Sequence, residues 1–292
     1  MRSPRVRVRR PRMRQRRIPE HSFNRVAPNV LTLLALCAGM TAVRFALNGN
    51  FQAAVYAIIV AGILDGLDGR VARLLKATSR FGAELDSLSD FVSFGVAPAA
   101  VLYLWTMAAL RSVGWAIVLF YSVCCALRLA RFNTQLNADP APHVANFFTG
   151  VPAPAGAGLV LLPMFISFEW DDIARSAYLN ALWTTGIALL MVSTIPTLSL
   201  KRFHVPHRLV VPTLLGIGLL AAFATTAPWP TLTLIGALYV GSIPLTMRAA
   251  ARLRSAAEPR RAAPAESPAL LDAPPHAATL GEATAPPGEW RH

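Results

Sequence analysis

Charge is scarce in this sequence. Asp, Glu, Lys and Arg make up 15% of its 292 residues, and 54% are hydrophobic; soluble domains carry about 25% charged residues. That balance excludes an ordinary soluble domain and points to an integral membrane protein. Cysteine is scarce as well. Cys37, Cys124 and Cys125 all fall in apolar stretches, with no CxxC or Cys/His spacing, which excludes a disulfide framework and a zinc site. They read as small buried residues. The six histidines show no metal-binding spacing. No small-residue cleavage site follows a short apolar run, so the N-terminus does not read as a signal peptide. Internal repeats and a soluble catalytic domain are also absent.

What is present is a succession of hydrophobic runs, each near the ~20 residues needed to cross a bilayer. Eight spans are expected in an all-α, polytopic helix bundle. They cover residues 29–47, a second run from 51 to beyond Asp68, 79–110, 112–132, 150–168, 177–200, and two more within 209–247 separated by Ala227-Pro228-Trp229-Pro230. Gly62, Gly66 and Gly95 are expected to permit close helix packing. Three domains follow: an Arg-rich head over 1–27, a transmembrane domain over 28–250, and an Ala/Pro-rich tail over 251–292 expected to be disordered.

The positive charge is unevenly placed. Residues 1–17 hold nine arginines. Because they directly precede a span, they read as a cytoplasmic anchor near anionic lipid head groups rather than as a nucleic-acid-binding arm. Alternate loops carry Arg70, Arg73, Lys76 and Arg80; Arg128 and Arg131; Lys201, Arg202 and Arg208; and Arg248, Arg252 and Arg254. The opposite loops carry almost nothing basic. Both termini are therefore expected on the cytoplasmic side of the cell's inner membrane.

Against this apolar background stand Asp65, Asp68, Asp86 and Asp90. Carboxylates at membrane depth are costly and mark functional sites by default. Asp65 and Asp68 are three apart, Asp86 and Asp90 four apart, so on helices each pair shares a face. Two such helices side by side aim four carboxylates at one point, an oxygen cage suited to a hard divalent cation and a substrate phosphate. A two-metal site stabilises in-line displacement at phosphorus. Gly69, Gly82 and the small Ala72 would let a pyrophosphate approach the backbone. Arg73 could pair with a phosphate, and Asp90, beyond which the chain is most apolar, is the candidate base.

Taken together these residues read Asp-x2-Asp-Gly-x2-Ala-Arg-x8-Gly-x3-Asp-x3-Asp, which closely resembles the signature of the CDP-alcohol phosphatidyltransferase family. The resemblance implies a helical membrane enzyme that moves a phosphatidyl group from a CDP-linked lipid to an alcohol, releasing CMP, with two Mg²⁺ or Mn²⁺ ions. It implies Asp65, Asp68, Asp86 and Asp90 as metal ligands, with Asp90 also the general base. Gly69, Ala72, Arg73 and Gly82 are the implied CDP-binding positions, joined by Asn29 and Thr32 at the start of the first span. A homodimer is also implied. Pro28–Thr32, Arg128–Asn133, Phe147–Pro154 and Ile195–Lys201 resemble segments of the bacterial, serine-using members, extending the likeness over roughly residues 24–250. The implied substrates are CDP-diacylglycerol and L-serine. Arg128, Arg131, Asn133, Lys201 and Arg202 are candidates for holding the acceptor or a lipid phosphate.

Other readings compete. The same reaction with glycerol 3-phosphate, inositol, inositol phosphate or choline as acceptor would use the same motif. A cation transporter with intramembrane acids would explain the carboxylates, but not Gly69, Ala72, Arg73 and Gly82 at fixed offsets. A non-catalytic lipid-binding scaffold would have no need of a candidate base.

Overall fold

The structure is a computed structural model that describes residues 22–136, 148–170, 174–193, 196–197 and 210–262. Its helices are α1 (Ser22–Leu47), α2 (Phe51–Leu74), α3 (Arg80–Asp90), α4 (Ala97–Trp105), α5 (Ser112–Leu136), α6 (Ala153–Val160), α7 (Leu162–Glu169), α8 (Ala177–Val192), α9 (Val210–Thr226) and α10 (Pro228–Ala262). A π-helical segment, Phe91–Val96, joins α3 to α4, and a 3-10 turn, Met107–Leu110, follows α4. The all-α expectation holds. Among the described residues, four stretches are long and apolar enough to cross a membrane: Val26–Leu47, Phe51–Leu74, Arg80–Trp105 and Ser112–Thr134. Ala153–Glu169, Ala177–Val192 and Val210–Thr226 are apolar but shorter. The chain is thus a multi-pass membrane protein. The described residues divide into two compact units at residue 250; residues 1–21 of the head and 263–292 of the tail lie outside the described residues.

The aspartate-bearing helices begin at side-chain caps. Asn50 accepts a hydrogen bond from the Ala53 backbone N–H at 3.1 Å, opening α2. Ser79 accepts one from Gly82 N–H at 3.0 Å, opening α3. Each cap satisfies one of the orphaned N–H groups of a first helical turn. α1 starts seven residues earlier than the span expected from residue 29, and carries Pro28 within it.

Small residues then let the helices close up. Gly39 of α1 lies against Ser93 of the π-helical segment, and a Cβ there would sit 2.9 Å from the Ser93 Cα. Gly95 meets Cys125 of α5, where an added Cβ would come within 3.0 Å of the sulfur. Gly62 faces the Phe94 ring, whereas Gly66 has open space beside it; the expectation of close packing holds for Gly62 and Gly95 and fails at Gly66. Gly39→Leu should force α1 off the π-helical segment. Overpacking of this kind costs about 1–3 kcal/mol, so thermal inactivation in detergent should come at clearly lower temperature.

Several polar groups are satisfied across helices. Tyr121, fully buried on α5, donates to the Phe94 carbonyl at 3.1 Å, and Ser122 Oγ lies within bonding distance of two carbonyls, Val118 of its own helix at 3.0 Å and Gly95 at 3.2 Å. A π-helical turn shifts the backbone hydrogen-bond register, and the Tyr121 hydroxyl supplies a donor to a carbonyl within it. Buried Asn180 of α8 donates to Thr106 Oγ1 and to the Ala174 carbonyl, each at 3.1 Å. Trp229 at the start of α10 stacks among Tyr56, Phe165 and Phe168, with ring centroids 4.6–6.5 Å away. A two-residue antiparallel pairing matches Phe148 with Thr197 and Thr149 with Pro196. It brings together two of the segments that carried the serine-using resemblance. Gly150 follows at φ +79°, and a Cβ there would strike the Met191 carbonyl. α9 buries none of its residues against the rest of the chain; an all-round apolar helix of this kind suits a lipid environment.

Candidate active site

α2 and α3 do what the spacing of their aspartates requires. Carboxylate oxygens of Asp65, Asp68 and Asp86 all lie within 4.8 Å of one another. Asp90, one turn beyond Asp86, sets its carboxyl against that of Asp65. Its Oδ1 is buried with no hydrogen-bond partner. So three aspartates form the cluster and the fourth abuts it at Asp65. Three converging oxygen donors fit a hard divalent cation, for which Mg²⁺ and Ca²⁺ are the usual guests.

Beside this cluster runs a cleft of about 180 Å³ lined by Pro28, Thr32, Asp68, Gly69, Ala72, Thr78, Ser79, Gly82, Ala83 and Asp86. Five of these are positions singled out from the sequence for nucleotide contact or metal binding on α2 and α3, and Thr32 is a sixth from α1. Nothing stands within 4 Å of the place where a Gly69 side chain would begin, so the backbone there is open to a ligand. Gly82 is different: a Cβ would lie 2.9 Å from Asn29 Oδ1 and 3.1 Å from Ser79 Oγ. Its missing side chain makes room for Asn29 and for the cap of α3. Arg73 is exposed on the last turn of α2, with its Nε donating to the Gly69 carbonyl at 3.0 Å.

The acceptor candidates divide. Arg128 of α5 is partly buried, and its Nε has no hydrogen-bond partner. Arg131 is exposed. Asn133 Nδ2 donates to Ser87 Oγ at 2.8 Å, tying the end of α5 to α3 next to Asp86. Lys201 and Arg202 lie outside the described residues.

Sequence reasoning passed over three α3-side residues that the structure makes prominent. Ser89 donates to the Thr32 carbonyl at 3.0 Å, Ser93 to the Ala35 carbonyl at 3.2 Å, and Ser87 receives Asn133. Ser89 and Ser93 are four apart, and small polar residues at that spacing in an apolar run are a recognisable helix-contact signal. Such bonds average about 0.6 kcal/mol in membrane bundles. The main effect of the Ser89 and Ser93 bonds is therefore to set the register of α3 and the π-helical segment against α1, while Ser87 ties α3 to α5.

The family model for CDP-alcohol phosphatidyltransferase matches residues 25–192. This chain belongs to the CDP-alcohol phosphatidyltransferase family. A second model, CDP-alcohol phosphatidyltransferase 2, matches residues 208–244. Among curated relatives, the CDP-diacylglycerol–serine O-phosphatidyltransferase of Mycobacterium tuberculosis is 43% identical over 228 residues, covering 76% of this chain and 78% of the relative. The Helicobacter pylori protein of the same name is 36% identical over 179 residues, 60% of this chain and 73% of the relative. That of Bacillus subtilis is 38% identical over 169 residues, 58% of this chain and 87% of the relative. Family membership accounts for the cleft and the carboxylate cluster together: a transferase of this class needs room for a nucleotide beside a divalent cation.

Proposed function

We propose that the protein is a phosphatidylserine synthase, transferring the phosphatidyl group of CDP-diacylglycerol to the hydroxyl of L-serine with release of CMP. The observation that carries the reaction class is the convergence of Asp65, Asp68 and Asp86 beside a cleft floored by Gly69 and Ala72. Serine as acceptor is supported by the names of the relatives, which match most of the chain.

In this reading Asp65, Asp68, Asp86 and Asp90 hold two divalent ions, Mg²⁺ or Mn²⁺. When bound, they neutralise the pyrophosphate and stabilise the entering and leaving oxygens. The residues of the chain do the rest. Gly69, Ala72 and Gly82 seat the nucleotide in the cleft, with Asn29 and Thr32 at its α1 side. Arg73, anchored through Nε, turns its terminal nitrogens toward a phosphate. Asp90 takes the proton from the serine hydroxyl; its Oδ1, buried and unpartnered, is the oxygen suited to it. The serine oxygen then bonds to the lipid-linked phosphorus as the bond to CMP breaks and CMP leaves with the electron pair. Arg128, Arg131, Asn133, Lys201 and Arg202 supply positive charge and amide donors for the serine carboxylate or the lipid phosphate.

The same reading places eight spans in the inner membrane, with both termini and the active site on the cytoplasmic side and the Arg-rich head against anionic lipid. It keeps the three-part division at residues 27 and 250, and assembles the chain as a homodimer.

The acceptor is tested by CMP release from CDP-diacylglycerol in detergent micelles with Mn²⁺. Release should depend on serine and stay at background with glycerol 3-phosphate, inositol, inositol phosphate or choline. Release with one of those alcohols and not with serine would overturn the acceptor while keeping the chemistry.

A further inference from the structure

Thr32 touches the acidic site from α1 in two ways. Its hydroxyl donates to Asp68 Oδ2 at 2.6 Å, and its carbonyl accepts from Ser89 Oγ at 3.0 Å. The first contact reaches α2 and the second reaches α3, at the residue just before Asp90. Both Thr32 and Asp68 are buried, each 4% exposed, so water has little access to replace a lost donor.

A hydroxyl has one proton to give. The Pro28 carbonyl also lies within reach, at 3.1 Å, but the shorter contact is to the carboxylate, as expected for a charge-assisted bond. With its proton on Asp68, the Thr32 hydroxyl has none to donate to a nucleotide in the cleft it lines. Fixing Oδ2 sets the rotation of the Asp68 carboxylate, and so the direction in which its lone pairs meet the cluster formed with Asp65 and Asp86. Partners of this kind orient metal ligands, and their loss typically weakens metal affinity 10–100-fold.

We infer that Thr32, besides lining the cleft, is a positioning residue of the metal site, orienting Asp68 through its hydroxyl. The inference rests on the metal-dependent transfer proposed above, and it adds to the role that the family resemblance implies for this residue.

The test uses the full chain in detergent micelles without CDP-diacylglycerol, titrated with Mn²⁺ and followed by the electron paramagnetic resonance signal of free Mn²⁺. Thr32→Val removes the donor and keeps the shape. Its Mn²⁺ affinity should fall by about tenfold or more, and Thr32→Ser, which restores a hydroxyl, should recover it. In CMP release, Thr32→Val should be slow at limiting Mn²⁺ and recover at saturating Mn²⁺. Wild-type Mn²⁺ affinity in Thr32→Val, with or without a raised KM for the CDP-lipid, would overturn the positioning role; the raised KM would return Thr32 to the nucleotide. Wild-type protein that binds no Mn²⁺ would overturn the metal site itself and this inference with it. Should Thr32→Val not fold, Thr32→Ala, which cannot overpack, takes its place with the same expectations.

Discussion

Asp90→Asn is expected to lower serine-dependent CMP release by about 10²–10⁴-fold, the usual contribution of a positioned general base. Asparagine keeps the shape of the side chain but cannot accept the serine proton. The three carboxylates of Asp65, Asp68 and Asp86, which already lie within 4.8 Å of one another, remain. The variant should therefore still take up Mn²⁺ and still bind CDP-diacylglycerol. Steady-state CMP release, paired with a Mn²⁺ titration of the same preparation, separates the two roles assigned to Asp90. Loss of turnover with metal binding retained identifies the base. Parallel loss of both would make Asp90 chiefly a ligand, and near-normal turnover would remove it from the chemistry.

Metal withdrawal should have an effect at least as large. Phosphoryl-type transfer depends on positioning and charge neutralisation, with little covalent work for the protein to do. Chelation should bring CMP release to background, and added Mg²⁺ or Mn²⁺ should restore it. Asp86→Ala removes one of the three clustered carboxylates and the one contributed by α3. It should abolish activity at Mn²⁺ concentrations that saturate the wild type, with weaker Mn²⁺ uptake in direct titration. Full activity in the presence of excess chelator would exclude the metal-dependent mechanism. Together with the base variant, this experiment distinguishes an enzyme from a cation transporter, which would bind the ion without releasing CMP.

The helical class and the place of the site were legible in the residues because both depend on local pattern. A bilayer admits spans whose backbone bonds are satisfied within the segment, so hydropathy alone marks them. Aspartates three and four apart share a helical face whatever the helix packs against. Four of the expected spans stand out as helices of sufficient length, while the run read as one span over residues 79–110 is built from α3, a π-helical segment, α4 and a 3-10 turn. Nothing in the spacing of apolar residues signals that break. The π-helical segment is held by Tyr121, which lies 27 residues away from the Phe94 carbonyl it bonds.

By itself, then, the sequence determined that the chain is a membrane helix bundle and that aspartates on α2 and α3 share a face with their neighbours one turn away, with a glycine, Gly69, whose backbone stays open beside them. These are matters of composition and of periodicity within one helix. Only the tertiary structure decided how α1 enters the site. Thr32 meets Asp68 across 36 residues of chain and Ser89 across 57, and Asn133 reaches Ser87 across 46. Such contacts arise when helices slide into one register and not another, and that register is chosen by side-chain volume and hydrogen bonding at the interfaces. Gly39 against Ser93 and Gly95 against Cys125 admit the close approach that brings these polar groups within bonding distance.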